Sequence, residues 1–159
     1  PRSVTGEAAV ARLVGRGIEA DALGRTGPRD AAGVTELLAA RAALQSRFAH
    51  EMAGIDALVC PVSALPALRH DTAAQLVLAA APCLLANLLE LPAGAVPVTR
   101  VRSDEERGRR PALDPVLRAA AACDRGSGGL PVGVQVVGGP DADEAIVLDA
   151  MEAVERGTA

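Results

Sequence analysis

Lysine and aromatic side chains are what this chain of 159 residues most lacks. All sixteen positions counted as lysine or arginine hold arginine, and Phe48 is the only aromatic residue. Because the pKa of arginine is too high for its guanidinium to lose a proton, none of these sixteen side chains is able to act as a general base. Half of the residues are hydrophobic, so a sizeable core is expected, and it must be built from Ala, Val and Leu.

The composition also excludes several kinds of site. A net charge of −4 argues against a nucleic-acid partner. Cys60, Cys83 and Cys123 are odd in number and match no metal-binding or disulfide spacing. We therefore expect buried free thiols, a reducing cytoplasmic location, and neither a metal nor a cofactor. The apolar run over 76–86 is too short to span a bilayer and is interrupted by Pro82, so we expect no transmembrane segment.

The C-terminal stretch carries the clearest structural pattern. Valines recur at every second position over 131–137, which predicts a strand. Gly133 inside that strand indicates that another backbone or side chain approaches closely. A helix is predicted over 142–156, capped by Asp141, with Glu144 three residues later at the spacing of a capping box.

The rest of the chain alternates helical and strand patterns. We predict helices at about 31–53, 73–89 and 113–123, and strands at 57–62 and 95–101. The strand at 57–62 is expected to be buried. Asp30 is placed to cap the first helix, whereas Pro97 puts its strand at a sheet edge, a bulge or a strand end. This order predicts an α/β fold in which a mixed β-sheet is covered by helices. Residues 1–29 show only a short helical pattern at 7–14 and a loop.

Two segments resemble one known family. GLPVGVQVVG at 129–138 is similar to the C-terminal signature of the amidase signature family, and NLLELPAGAVPVTRV at 87–101 resembles the Asn-x-x-Gly-x-Pro-Ala block that precedes it. Glu90 stands where that family commonly has Gly, which is more similar to its fatty-acid amide hydrolase branch. The resemblance implies that residues 30–159 are the incomplete C-terminal part of a single amidase-type α/β domain.

The resemblance also implies a catalytic apparatus that this chain does not hold. The family consists of serine hydrolases with a Ser–Ser–Lys triad, which cleave carboxylic amides through an acyl-serine intermediate. Without lysine the triad is incomplete, and the five serines are scattered. Ser127 lies in Gly-Ser-Gly-Gly rather than in a G-x-S-x-G elbow, so we predict a flexible turn there and no catalytic residue in this chain. Since the chain also begins at Pro1, we expect a fragment that is inactive alone.

The resemblance assigns this segment a role in shaping the substrate site. In fatty-acid amide hydrolases the C-terminal part helps to line the acyl channel, and the matching positions here are Val77, Ala80 and Leu113. All three are apolar, as a channel for a small-molecule amide requires. The alternative that they are ordinary core residues stays open. A homodimer is a further expectation.

Other features leave alternatives. The mixed charges of 102–110 are compatible with a site for phosphate or an acidic partner, although a solvated loop is favoured. His50 and the His70-Asp71 pair have no metal-ligand spacing. The rival to the hydrolase hypothesis is a non-catalytic, stand-alone α/β module that serves in binding or assembly.

Overall fold

A computed structural model of the chain describes residues 27–70, 72–110 and 112–158. The short helix expected at 7–14 lies outside the described residues. The helices are α1 (Ala31–Glu51), α2 (Leu84–Leu89), α3 (Pro115–Asp124) and α4 (Glu144–Thr158). The strands are β1 (Ala57–Pro61), β2 (Ala93–Arg100) and β3 (Pro131–Gly138), and two 3₁₀-helices span Ala73–Gln75 and Val77–Cys83.

The three strands form one sheet in the order β1-β3-β2. β3 pairs antiparallel with both neighbours, so Val136 lies opposite Val59 and Gln135 lies opposite Ala95. The predictions that the three apolar runs share one sheet and that the fold is α/β are confirmed. Both pairings among the described strands are antiparallel, and no parallel pair of a mixed sheet occurs among them.

The position of each strand in the sheet explains its burial. β3 is central, and its Val136 and Val137 are fully buried. β1 was predicted to be buried, which is wrong for Val59, 49% exposed, because β1 is an edge strand of the described sheet. β2 is the other edge strand, and its register shifts between Pro97 and Thr99, as the prediction for Pro97 allowed.

Two glycines allow close packing against the sheet. A Cβ on Gly133 would lie 3.1 Å from the carbonyl oxygen of Val96, which confirms the predicted close approach. Gly94 on β2 is covered by Met151 of α4, whose sulfur occupies the space that a Cβ would need. α4 thus packs on β2 and β3 and buries Val147 there.

The first helix begins as predicted but is little buried. Asp30 caps α1, since its Oδ1 accepts a hydrogen bond of 2.8 Å from the backbone N–H of Gly33. No residue of α1 is buried, and its Leu37 and Leu38 are 54% and 58% exposed. Met52, immediately after the helix, is buried.

The predicted helix at 73–89 is wrong in type. The segment forms two 3₁₀-helices and continues into α2, which has only six residues. Pro82 lies inside the second 3₁₀-helix. Proline lacks an N–H and its ring clashes with the carbonyl four residues earlier, so a continuous α-helix is disfavoured.

The start of the last helix is also corrected. The side chain of Asp143 accepts a 3.1 Å hydrogen bond from the N–H of Ile146, so Asp143 rather than Asp141 caps α4. At Asp141 the chain is still turning, because Ala142 N–H donates to the carbonyl of Gly139 at 3.1 Å. The capping box with Glu144 is therefore wrong, and the helix runs from Glu144 to Thr158.

Candidate functional site

Val77 and Ala80, two predicted channel residues, lie on the same face of the 3₁₀-helix Val77–Cys83. Residues three apart eclipse one another in such a helix. The neighbouring Leu76 and Ala79 point inward and are 4% and 8% exposed, and they join a core with residues of α3. Val77 is 58% exposed and Ala80 is also exposed. These two residues therefore lie outside the described core, and their role in a channel stays a prediction.

Leu113, the third predicted channel residue, lies on a different segment. It is 96% exposed and directly precedes Asp114, whose Oδ1 accepts a 3.0 Å hydrogen bond from Leu117 N–H and so caps α3. The structure brings Val77 and Ala80 together on one helical face and places Leu113 at the start of another helix. Its contact with substrate also stays a prediction.

Hydrogen bonds attach the helix that carries Val77 and Ala80 to the sheet. The side-chain amide of Gln135, on β3, donates to the carbonyl oxygens of Pro82 at 2.8 Å and Pro61 at 3.2 Å. The segment after β1 makes two further hydrogen bonds to this helix. The N–H of Ala64 donates to the carbonyl of Ala79 at 2.9 Å, and the thiol of Cys83 donates to the carbonyl of Val62 at 3.0 Å. The central strand thereby fixes the orientation of the Val77 face.

Gln135 is the positioning residue that sequence reasoning missed. It is only 4% exposed, and a buried amide needs partners for its two N–H donors. One signal was present: Gln135 is the only polar side chain in an otherwise valine- and glycine-rich strand. Its partners are 53 and 74 residues away along the chain, so the sequence did not reveal them.

The Val77 face continues along the chain as exposed apolar surface. Leu84 and Leu88 follow in α2, four residues apart, which is the spacing of one α-helical face. Leu84 and Leu88 are 56% and 48% exposed. Exposed apolar surface of this kind marks ligand or protein contacts. We call the surface formed by Val77, Ala80, Leu84 and Leu88 the apolar ribbon.

Arg41 and Glu90 hold the end of α2 against α1. Arg41 Nε donates to the carbonyl of Leu88 at 2.8 Å, and its Nη2 lies 2.5 Å from the carboxylate of Glu90. Gln45 donates to the carbonyl of Leu89 at 3.2 Å. These donors satisfy carbonyls that a helix end leaves free. The hydrogen bond and charge of Arg41 lower the pKa of Glu90.

Glu90 also has an unusual backbone conformation. Its φ of 59° and ψ of 47° lie in the left-handed region, which a glycine adopts without strain. The conformation fits the glycine that the resemblance described above implies at this position. The ion pair with Arg41 is an interaction that glycine would not provide.

Ser127 is not arranged as a nucleophile. Its side chain is 2% exposed, and its hydroxyl donates to the carbonyl of Asp124 at 2.6 Å. The predicted turn is present, but these contacts fix it, so the expectation of flexibility is not supported. Within the described ranges no group of three or more His, Cys, Asp or Glu side chains is placed to hold a metal ion. His50 and His70 are exposed.

The cysteines and helix lengths agree with the sequence analysis in part. Cys60, Cys83 and Cys123 are free, but only Cys123 is fully buried. Among the helices in the part of the chain that the structure describes, none is both long and apolar enough to cross a membrane.

Comparison with known proteins identifies the family. The model of the Amidase family matches residues 7–147, most of the chain, and the chain therefore belongs to that family. It is similar to Fatty acid amide hydrolase 1 of Caenorhabditis elegans, with 38% identity over 104 residues. The resemblance inferred from the two sequence segments is confirmed. The match covers 64% of this chain but only 18% of the C. elegans protein.

Proposed function

We propose that this chain is the C-terminal part of an amidase signature serine hydrolase that cleaves carboxylic amides, fatty-acid amides among them, through an acyl-serine intermediate. Membership of the Amidase family and the similarity to a fatty acid amide hydrolase support the reaction class. The chain has no lysine, and its Ser127 is buried and hydrogen-bonded, which supports a catalytic Ser–Ser–Lys triad outside these residues.

The apolar ribbon is the observation that carries the proposed role of this segment. Val77 and Ala80 present an exposed apolar face on a helix that Gln135 fixes to the sheet. Acyl chains bind to apolar surfaces whose shape is fixed beforehand. We propose that this face, with Leu113, lines the acyl side of the substrate site, while the catalytic groups come from elsewhere.

A second candidate is a stand-alone α/β module that binds or assembles without catalysis. The exposed apolar surface favours it as well, because such surface also serves protein contacts. The reading frame upstream of Pro1 distinguishes the two. A lysine followed by a Gly/Ser-rich stretch with two spaced serines supports the hydrolase, whereas a start codon directly before Pro1 supports the module.

The proposal also covers the cellular location and the partners of the protein. The three free cysteines support a reducing compartment such as the cytoplasm. A small-molecule amide is the proposed partner of the complete enzyme. The net charge of −4 gives no support to nucleic-acid binding. A homodimer is compatible with the exposed apolar surface.

A chimera tests the proposed channel role. The 104 residues that match the C. elegans fatty acid amide hydrolase would replace the corresponding part of that protein, and hydrolysis of long-chain and short-chain amides would be compared. We expect Val77→Trp and Ala80→Trp to lower kcat/KM for the long-chain amide much more than for the short one. Val34→Trp, the same exchange on exposed α1, is the matched control. Equal losses for both amides, or an equal effect of Val34→Trp, would contradict the role.

The absence of a nucleophile is tested on the chain itself. A fluorophosphonate probe should leave residues 1–159 unlabelled, and amide hydrolysis should stay at background, because the chain has no lysine to act as the general base and Ser127 is buried with its hydroxyl bonded to the carbonyl of Asp124. Stoichiometric labelling at Ser127 that disappears in Ser127→Ala would show that the chain carries its own nucleophile.

A further inference from the structure

A groove outside the apolar ribbon is lined by arginines. It lies between α3, the turn containing Thr72 and Gln75, and the loop that carries Arg109, and its volume is about 690 Å³. Arg109, Arg118 and Arg125 line it together with alanines of α3. We call this cavity the arginine groove.

Contacts on both sides hold the walls of the groove in place. On one side the sulfur of Cys123, buried in α3, accepts a 3.4 Å hydrogen bond from the backbone N–H of Arg69. On the other side Arg109 Nε lies 2.6 Å from the carboxylate of Asp124. The carboxylate of Glu106 accepts hydrogen bonds from the N–H groups of Gly126 at 3.0 Å and Gly128 at 2.9 Å. Both walls are therefore attached to α3 or to the turn that follows it.

The charges of the groove are incompletely neutralised. Asp124 compensates Arg109, but none of the acidic side chains in the described ranges forms an ion pair with Arg118 or Arg125. Arg118 lies within α3, and Arg125, seven residues later, caps its C-terminal end with an extended backbone. Both line the groove together with the small side chain of Ala122.

This arrangement divides the charged segment at 102–110 into two parts. At its start Arg102 pairs with Asp104 through bonds of 2.9 and 2.8 Å, and both side chains are exposed, as expected of a solvated loop. Near its end Arg109 lines the groove. The segment therefore contributes to a defined cavity only at its C-terminal end.

We propose that the arginine groove binds a phosphate monoester, either free in solution or as the headgroup of an anionic phospholipid. Two guanidinium groups without an ion-pair partner among the described residues match a phosphate monoester, which carries nearly two negative charges at neutral pH. Arginine also binds phosphate oxygens in pairs, which fixes the orientation of the group. The volume of about 690 Å³ leaves space for the organic part of the ligand. This inference is independent of the proposed hydrolase function.

Binding is measured on the whole chain with two probes. Inorganic phosphate is titrated by calorimetry at low salt, and co-sedimentation is followed with phosphatidylcholine vesicles that contain phosphatidic acid. We expect the double variant Arg118→Ala, Arg125→Ala to weaken binding by about tenfold or more. A tenfold loss corresponds to the lower end of what one hydrogen bond to a charged group contributes. Arg47→Ala removes one exposed positive charge on α1 and should leave binding unchanged. Equal melting temperatures establish that the variants are folded.

The outcomes separate the two sources of the phosphate group. Binding of inorganic phosphate supports a soluble ligand, and binding confined to phosphatidic acid vesicles supports a lipid headgroup. The proposal is overturned if neither probe binds or if Arg47→Ala weakens binding as much as the double variant. It is also overturned if phosphatidylserine vesicles of the same charge density bind equally well, since that would be general attraction to a negative surface.

Discussion

At the scale of single residues, Glu90 combines a strained backbone with a compensating contact. Its left-handed conformation disfavours any side chain, whereas its carboxylate pairs with Arg41 and helps to join α1 to the end of α2. Arg41 itself is also bonded to the carbonyl of Leu88. The position therefore contributes to the packing of two helices, which a glycine would not do.

Substitutions of Glu90 should separate the effect of the ion pair from the effect of the backbone strain. Glu90→Gln loses the ion pair and keeps the strained backbone, so we expect a lower Tm at pH 7. Glu90→Gly loses the same pair but removes the strain, and should be more stable than Glu90→Gln. Double-mutant cycles with Arg41→Gln give the coupling between the two side chains.

The pH dependence of the pair has a defined sign. The lowered pKa of Glu90 means that its contribution to stability is complete above the ordinary value of 4.5 and is lost as pH falls through the lower folded value. Urea unfolding should therefore show the wild type and Glu90→Gln converging in acid. Glu155→Gln, on the exposed surface of α4, is the control. A constant difference between pH 7 and pH 3 would contradict this role of Glu90.

At the scale of elements, β3 and the 3₁₀-helix Val77–Cys83 act together. Gln135 on β3 connects them by donating to the carbonyl of Pro82 in this helix, and it also donates to the carbonyl of Pro61 at the end of β1. The face formed by Val77 and Ala80 therefore depends on an amide in the sheet. A change in this amide is expected to alter the position of that helix.

Gln135→Leu should destabilise the fold. The variant removes two part-buried hydrogen bonds, at a cost of about 1–3 kcal/mol. Gln75→Leu makes the same exchange at an exposed position and should change the free energy of unfolding by less than about 0.5 kcal/mol. Urea denaturation measures both. Equal effects of the two variants would show that Gln135 has no special role.

The elements were predictable where local patterns decide them. The alternating valines of β3 located its strand, and Asp30 located the start of α1. Asp141 was predicted to cap α4, but the turn from Gly139 to Ala142 extends past it, so that Asp143 caps the helix. Every residue from Leu76 to Ala81 is apolar, so the hydrophobic pattern has no period there. The sequence therefore did not show that Leu76 is buried and Val77 is exposed. Burial there depends on α3, which is distant in sequence.

At the scale of the whole molecule, much apolar surface is left uncovered. Leu37 and Leu38 on α1 and Leu84 and Leu88 of the apolar ribbon are between 48% and 58% exposed. β1 and β2 are both edge strands of the described sheet. Unpaired edges and apolar faces of this kind promote association between chains.

The chain expressed alone should therefore self-associate. Light scattering coupled to size exclusion should show species larger than the 16.1 kDa monomer, growing with concentration. The double variant Leu37→Glu, Leu38→Glu should shift the distribution towards monomer, whereas Glu152→Gln on α4 should not. A monodisperse wild-type monomer with a sharp, cooperative melt would instead favour the stand-alone module.

The central position of β3 has a consequence for how the chain acquires its fold during synthesis. β1 and β2 both pair with β3, and they are separated from each other by it. The ribosome makes β3 last of the three, so the two earlier strands have no partner in this sheet until about residue 138 has emerged. Until then they remain exposed hydrophobic segments, which is the condition in which nascent chains aggregate or bind chaperones.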